Sequence, residues 1–176
     1  LEQLFGQEYP QLDLEDQLES LQHTPDRFQV YLALLLPLEN VNQNRTYHPE
    51  GDALYHSLQV FELACAERPY DEEFLTAALL HDVGKAIDPE DHVAAGLEAL
   101  DGFISQRTGW LIENHMDAHR LRDGTIGSRH RNRLAGHESF EELTLLAECD
   151  RKGRQPGMQV AEVEEAIEQL RMLDRE

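Results

Sequence analysis

The chain has 176 residues, with 15 Lys and Arg against 35 Asp and Glu, so its formal net charge is −20. That length suits one domain with a real core, and that charge opposes a non-specific grip on duplex nucleic acid or an anionic membrane surface. The longest apolar run, residues 30–38, is broken by Pro37 and falls short of the roughly 18–20 residues of a membrane span.

Val, Ile and Thr are sparse and no segment alternates with period two, so the expected fold class is all-α. An acidic amphipathic helix is expected over 12–21. Thr24 as N-cap and Pro25 at the first position then open a helix through Phe28, Tyr31, Leu32 and Leu35, which Pro37 ends. Residues 39–51 are polar and turn-rich. Asp52 caps a long helix to about 68; Pro69 closes it, Asp71 opens the next, and Gly84 stops that one near 83. Pro89 and Glu90 begin another, ending near 101–102, and a further helix covers 105–118. Residues 123–136 hold three glycines and three arginines and read as a loop. Helix 138–151, a linker 153–157 and a last helix 161–173 complete the chain, the last with Val163, Ile167 and Leu170 on one face. These elements divide into an N-terminal helical extension (1–40), a core (41–155) and a C-terminal amphipathic helix (156–176). Cys65 and Cys149 lie in apolar helical stretches and read as buried thiols of a reducing, cytoplasmic compartment. No signal-peptide pattern opens the chain.

Some polar residues fall on apolar helix faces. His56 shares a face with Val60 and Leu63. The segment from Phe74 to Leu80 is apolar all round, which marks a buried helix, and His81 and Asp82 follow it by one turn. Asp150 lies on the face of Leu146 and Ala147. A carboxylate placed this way must be paired or coordinate a metal, and imidazole with carboxylate from facing helices suits a divalent transition metal. His92, at a helix start, and His115, one turn after Leu111 and Ile112, extend the set to six ligands, enough for two ions. His119 is in reserve, and His48 and His137 are placed near the pocket rim. Nine of the 15 basic residues lie between Arg107 and Arg154, which suits a compact anion.

The ordered set of an early helical His, "ALLHDVGK" and a late helical Asp resembles the HD-domain superfamily of metal-dependent phosphohydrolases. "HPEGDALYH", "ENHMDAH" and "AECDRKGR" are similar to the HD domain of bacterial CCA-adding tRNA nucleotidyltransferases, over roughly residues 45–155. No Gly-rich signature with paired Asp precedes residue 45, so tRNA tailing is not expected of these residues. The segment from His92 to Gly96, with His115, also resembles HD enzymes that cleave diadenosine polyphosphates at a two-metal site.

The resemblance implies a compact helical HD-domain bundle with a metal site between central helices. It implies His56, His81, Asp82 and Asp150 as ligands of a main metal, and His92 and His115 as ligands of a second. The cofactor is then one or two divalent ions, Mn, Fe, Co or Ni. Lys85, one turn past Asp82, matches the Lys of the HDxGK motif and would touch a phosphate, with Asp82 bridging the metals. Arg120, Arg122 and Arg151 are candidates for further substrate contacts. The expected reaction is attack of metal-activated hydroxide on a small nucleotide phosphoester, a 2′,3′-cyclic nucleotide or a monophosphate. A dinucleoside polyphosphate hydrolase, a mixed-valent di-iron oxygenase and a non-catalytic nucleotide-sensing module are the alternatives. The absence of Gly-Tyr-Pro after the HD pair disfavours a cyclic-di-GMP phosphodiesterase, and Lys85 replaces the Glu usual in HD 5′-deoxynucleotidases.

Overall fold

The computed structural model describes residues 25–175. Regular structure among them is helical throughout: α1 (Arg27–Leu35), α2 (Ala53–Glu67), α3 (Glu72–Leu80), α4 (His92–Ala99), α5 (Gln106–Arg122), α6 (Ser128–Ala135), α7 (Phe140–Lys152) and α8 (Val163–Leu173). Short 3₁₀ turns cover Leu36–Asn40 and Val83–Ala86. The expected helix over 12–21 lies outside the described residues.

Five helix starts are set by side chains that accept an otherwise orphaned backbone N–H: Asp26, Asp52, Asp71, Asp91 and Ser105. Asp52, Asp71 and Ser105 stand where the sequence places them. Two starts are corrected. The first helix opens behind Asp26 rather than at Thr24 and Pro25, and α4 opens behind Asp91 rather than at Pro89 and Glu90. Two ends move as well. α3 stops at Leu80, so His81 and Asp82 form the turn between it and the 3₁₀ segment, and α5 runs one turn past 118 to Arg122. The segment read as a loop contains α6, of which Leu134 is the sole buried residue. A helix so polar offers no apolar period to read.

Helices α2, α3, α5 and α7 pack against one another around Phe61, Phe74, Leu75, Leu79, Leu80, Leu111, Ile112 and Leu146, all fully buried. Phe28, Tyr31 and Leu35 of α1 and Val163, Ala166, Ile167 and Leu170 of α8 join the same buried cluster. α1 and α8 pack together, with Arg171 paired to Asp26 at 2.7 Å. Helix α4 docks on the Val83–Ala86 turn with almost no space between backbones. A Cβ built on Gly84 would lie 1.8 Å from the His92 carbonyl oxygen and 2.6 Å from the Gly96 nitrogen. Gly84 therefore serves close approach, and the helix before it has already ended at Leu80. This contact sets the position of His92 at the first turn of α4.

Candidate metal centre

The central helices deliver three imidazoles in one orientation. His56 on α2 has Nδ1 2.7 Å from the Gly153 carbonyl, His81 has Nδ1 2.9 Å from that of Ala78, and His115 on α5 has Nδ1 2.7 Å from that of Ile112. A carbonyl only accepts, so each Nδ1 donates and each neutral ring keeps its lone pair on Nε2. His56 and His115 are buried, and so is His81. The Nε2 atom of His81 is buried without a hydrogen-bond partner among the described residues, and that of His56 is buried facing the Asp150 carboxylate. Buried nitrogen lone pairs of this kind need a Lewis acid or a proton.

Two carboxylates face them. Asp82 Oδ2 lies 3.3 Å from His81 Nε2 and 3.9 Å from His56 Nε2, while its Oδ1 lies 3.5 Å from His92 Nε2 and 3.9 Å from His115 Nε2. His92 and His115 approach each other at 3.5 Å between Nε2 atoms. Two ligand groups result, His56–His81–Asp82 and Asp82–His92–His115, each with its donor atoms within 4.8 Å of one another, and Asp82 presents one oxygen to each. Asp150 flanks the first, with Oδ1 3.0 Å from His56 Nε2 and Oδ2 2.6 Å from His119 Nε2. The borderline nitrogen and hard oxygen donors of these groups fit a divalent transition metal.

The electrostatics run the same way. Burial acts to raise the pKa of both carboxyls, but His81 and Lys85 beside Asp82, and His119 and His56 beside Asp150, hold both well below the usual carboxylate range. Burial also disfavours a charged His56, yet Asp150, Glu50 and Asp82 outweigh it and draw its pKa up to about 9. At His115 burial prevails, aided by the charge of His81, and pushes the pKa down to about 4. The anionic field that draws a proton to His56 Nε2 equally favours a divalent cation there.

The structure thus brings His56, His81, Asp82, Asp150, His92 and His115 together, and Lys85 with them: its Nζ lies 2.6 Å from Asp82 Oδ2. Three sequence candidates stand elsewhere. Arg120 is exposed and pairs with Asp117 at 3.2 Å. Arg122 and Arg151 line a separate groove on α5 and α7 with Leu121, Phe140 and Thr144. His137 stacks on Trp110 at 3.6 Å between ring centroids.

Three residues without an assigned role reach the centre. Glu50 Oε1 lies 2.9 Å from Nδ1 of both His48 and His56, placing a buried carboxylate behind a ligand imidazole. Gln43 accepts from Lys85 Nζ at 2.7 Å. Arg154 Nη2 lies 3.4 Å from Asp150 Oδ1. Glu50 sits inside the "HPEGDALYH" segment and Arg154 inside "AECDRKGR", but neither segment shows what these side chains touch, and Gln43 had no signal at all.

A bundle whose central helices converge histidines and two aspartates on a shared point, one of them in a His-Asp doublet, is the arrangement of an HD domain. The HD domain family matches residues 53–154, more than half of the chain, and the chain belongs to that family. HD domains are in general metal-dependent phosphohydrolases, and the His/Asp groups described here can hold a divalent metal. Among characterised relatives, the Multifunctional CCA protein of Xanthomonas euvesicatoria is 27% identical over 153 residues, covering 75% of this chain and 37% of the relative. That of Halorhodospira halophila is 36% identical over 124 residues, 54% of this chain and 28% of the relative. That of Hahella chejuensis is 31% identical over 140 residues, 66% and 32%. The chain spans about a third of the length of these relatives.

Proposed function

We propose that this chain hydrolyses small nucleotide phosphoesters, 2′,3′-cyclic nucleotides first and nucleoside monophosphates second, with one or two divalent transition metals held by His56, His81, Asp82, Asp150, His92 and His115. The observation that carries the reading is Asp82, whose two oxygens serve two histidine groups while Lys85 Nζ lies 2.6 Å from one of them. A bound metal supplies a water of lowered pKa and offsets charge gathering on phosphoryl oxygens. The chain's own part is positional. Backbone carbonyls fix the three imidazole tautomers, Asp82 holds the two groups in register, and Lys85 presents an ammonium to the phosphoryl oxygens. The similarity to Multifunctional CCA proteins, and the phosphodiesterase and phosphatase activity associated with HD domains of that type, support the substrate class. The net charge of −20 supports a compact substrate over long nucleic acid. No helix of the described residues is long and apolar enough to cross a membrane, and two free cysteines support a cytoplasmic setting.

A substrate panel of 2′,3′-cyclic nucleotides, monophosphates and dinucleoside polyphosphates, run with Mn, Fe, Co, Ni and Mg, tests this. Cyclic nucleotide hydrolysis abolished by chelator is the expected result. Preference for dinucleoside polyphosphates would move the assignment to the diadenosine-polyphosphate branch, and no phosphate release with any metal would overturn it. Lys85→Ala should keep its metal and lose about 10²–10³ in turnover.

A further inference from the structure

Two cations flank the centre, and they are not equally occupied. Lys85 Nζ is well paired, at 2.6 Å from Asp82 and 2.7 Å from Gln43. Arg154, just past the end of α7, is not. Its Nη2 lies 3.4 Å from Asp150 Oδ1 and its Nη1 3.4 Å from the Tyr47 carbonyl, both at the outer edge of hydrogen bonding. Its Nε is buried and has no partner among the described residues. A guanidinium offers five donors in a rigid fork, and this one spends none of them well.

Arg107 shows what a committed arginine looks like in the same protein, forking onto Asp71 at 2.6 and 2.8 Å. Asp150 does not need Arg154 either. One of its oxygens takes His119 at 2.6 Å, and the other faces His56 Nε2 at 3.0 Å. Spare donor capacity thus sits one contact from the histidine cluster, with the side chain partly open to solvent. Both cations also contact the same connecting segment, Lys85 through Gln43 and Arg154 through Tyr47.

We propose that Arg154 contacts the substrate phosphate, closing with Lys85 a two-pronged clamp on the non-bridging oxygens. This rests on the phosphohydrolase reading above. Arg154 is the arginine in contact with Asp150, whereas Arg120 pairs with Asp117 and Arg122 and Arg151 line the groove on α5 and α7. The planar fork matches two phosphoryl oxygens at once, which a lysine cannot do. Such a contact is made to substrate and transition state alike, so its loss raises KM more than it lowers kcat.

The test uses Mn-loaded protein, with inorganic phosphate as probe in calorimetry and a 2′,3′-cyclic nucleotide as substrate in steady-state kinetics. Arg154→Gln should weaken phosphate binding and raise KM by about tenfold or more, with kcat and Mn stoichiometry near those of the parent. Arg154→Lys, which keeps the charge without the fork, should fall between the two. Phosphate affinity within twofold of the parent in Arg154→Gln would overturn the clamp. So would Mn stoichiometry falling in step with affinity in both variants, since Arg154 would then act on Asp150 instead. No phosphate binding by the Mn-loaded parent would also overturn it. If the parent binds phosphate through Arg154 yet hydrolyses no phosphoester, the clamp stands and the phosphohydrolase reading fails.

Discussion

Replacing Gly84 with Ala adds one methyl group at the point where two backbones nearly touch. The new carbon would sit 1.8 Å from the His92 carbonyl oxygen, 2.6 Å from the Gly96 nitrogen and 2.7 Å from the His92 carbonyl carbon. All three are main-chain atoms, so no side chain can swing aside. Reaching even 3.0 Å requires the Val83–Ala86 turn and α4 to part by about 1.2 Å. Overpacking of this kind costs typically 1–3 kcal/mol, and a pure backbone clash belongs at or above the top of that range, about 3 kcal/mol. For a domain of this size that is a fall in Tm of about 6–12 °C. The displacement also carries His92 away from Asp82 Oδ1, at 3.5 Å, so metal held by Asp82, His92 and His115 should weaken along with the fold. Gly96→Ala is the internal control, because its nearest contact is 3.3 Å and a shift of a few tenths of an ångström relieves it. Calorimetric Tm and elemental analysis of both variants check the prediction. A Gly84→Ala protein with parental Tm and parental metal content would refute the reasoning.

His81→Ala and Asp82→Ala should each lose bound metal with the helical fold mostly retained, read by elemental analysis beside far-UV circular dichroism; parental metal content in both would remove these residues from the site. His92→Ala or His115→Ala should lower the metal stoichiometry by about one without emptying the centre, and unchanged stoichiometry in both would leave a single-ion site. Asp71 gives a pH signature away from the centre. Burial acts to raise its pKa, but the Arg107 fork and the Phe74 amide hold it below the usual value, so its contribution is complete above about pH 4 and fades as pH falls through the folded value. Asp71→Asn keeps a capping acceptor and loses the ion pair, costing about 1–2 kcal/mol at pH 7. Urea titrations should show that gap constant above about pH 4 and closing as pH falls below it, and a gap of constant size down to low pH would refute the assignment.

The sequence alone determined that the protein is helical, where three of its helices are capped, and which polar side chains face inward. Helix period and N-caps are local, written within a few residues, so Asp52, Asp71 and Ser105 and the inward positions of His56, His81, Asp82, His115 and Asp150 were legible. The polar helix α6 was not, because a segment that buries only Leu134 carries no apolar period. Only the tertiary structure separated Arg154 from eight other basic residues in the same stretch, since its contact with Asp150 depends on how the chain turns after α7 ends at Lys152. It alone set Glu50 behind His56 and closed the Gly153 carbonyl onto a ring 97 positions earlier in the chain. Gly84 shows both sides at one residue. Its place in the HDxGK motif was visible, but its reason lies in a carbonyl eight residues downstream that packs where a side chain would have to be. Contacts of that kind depend on how elements dock, and docking is decided by the whole core at once.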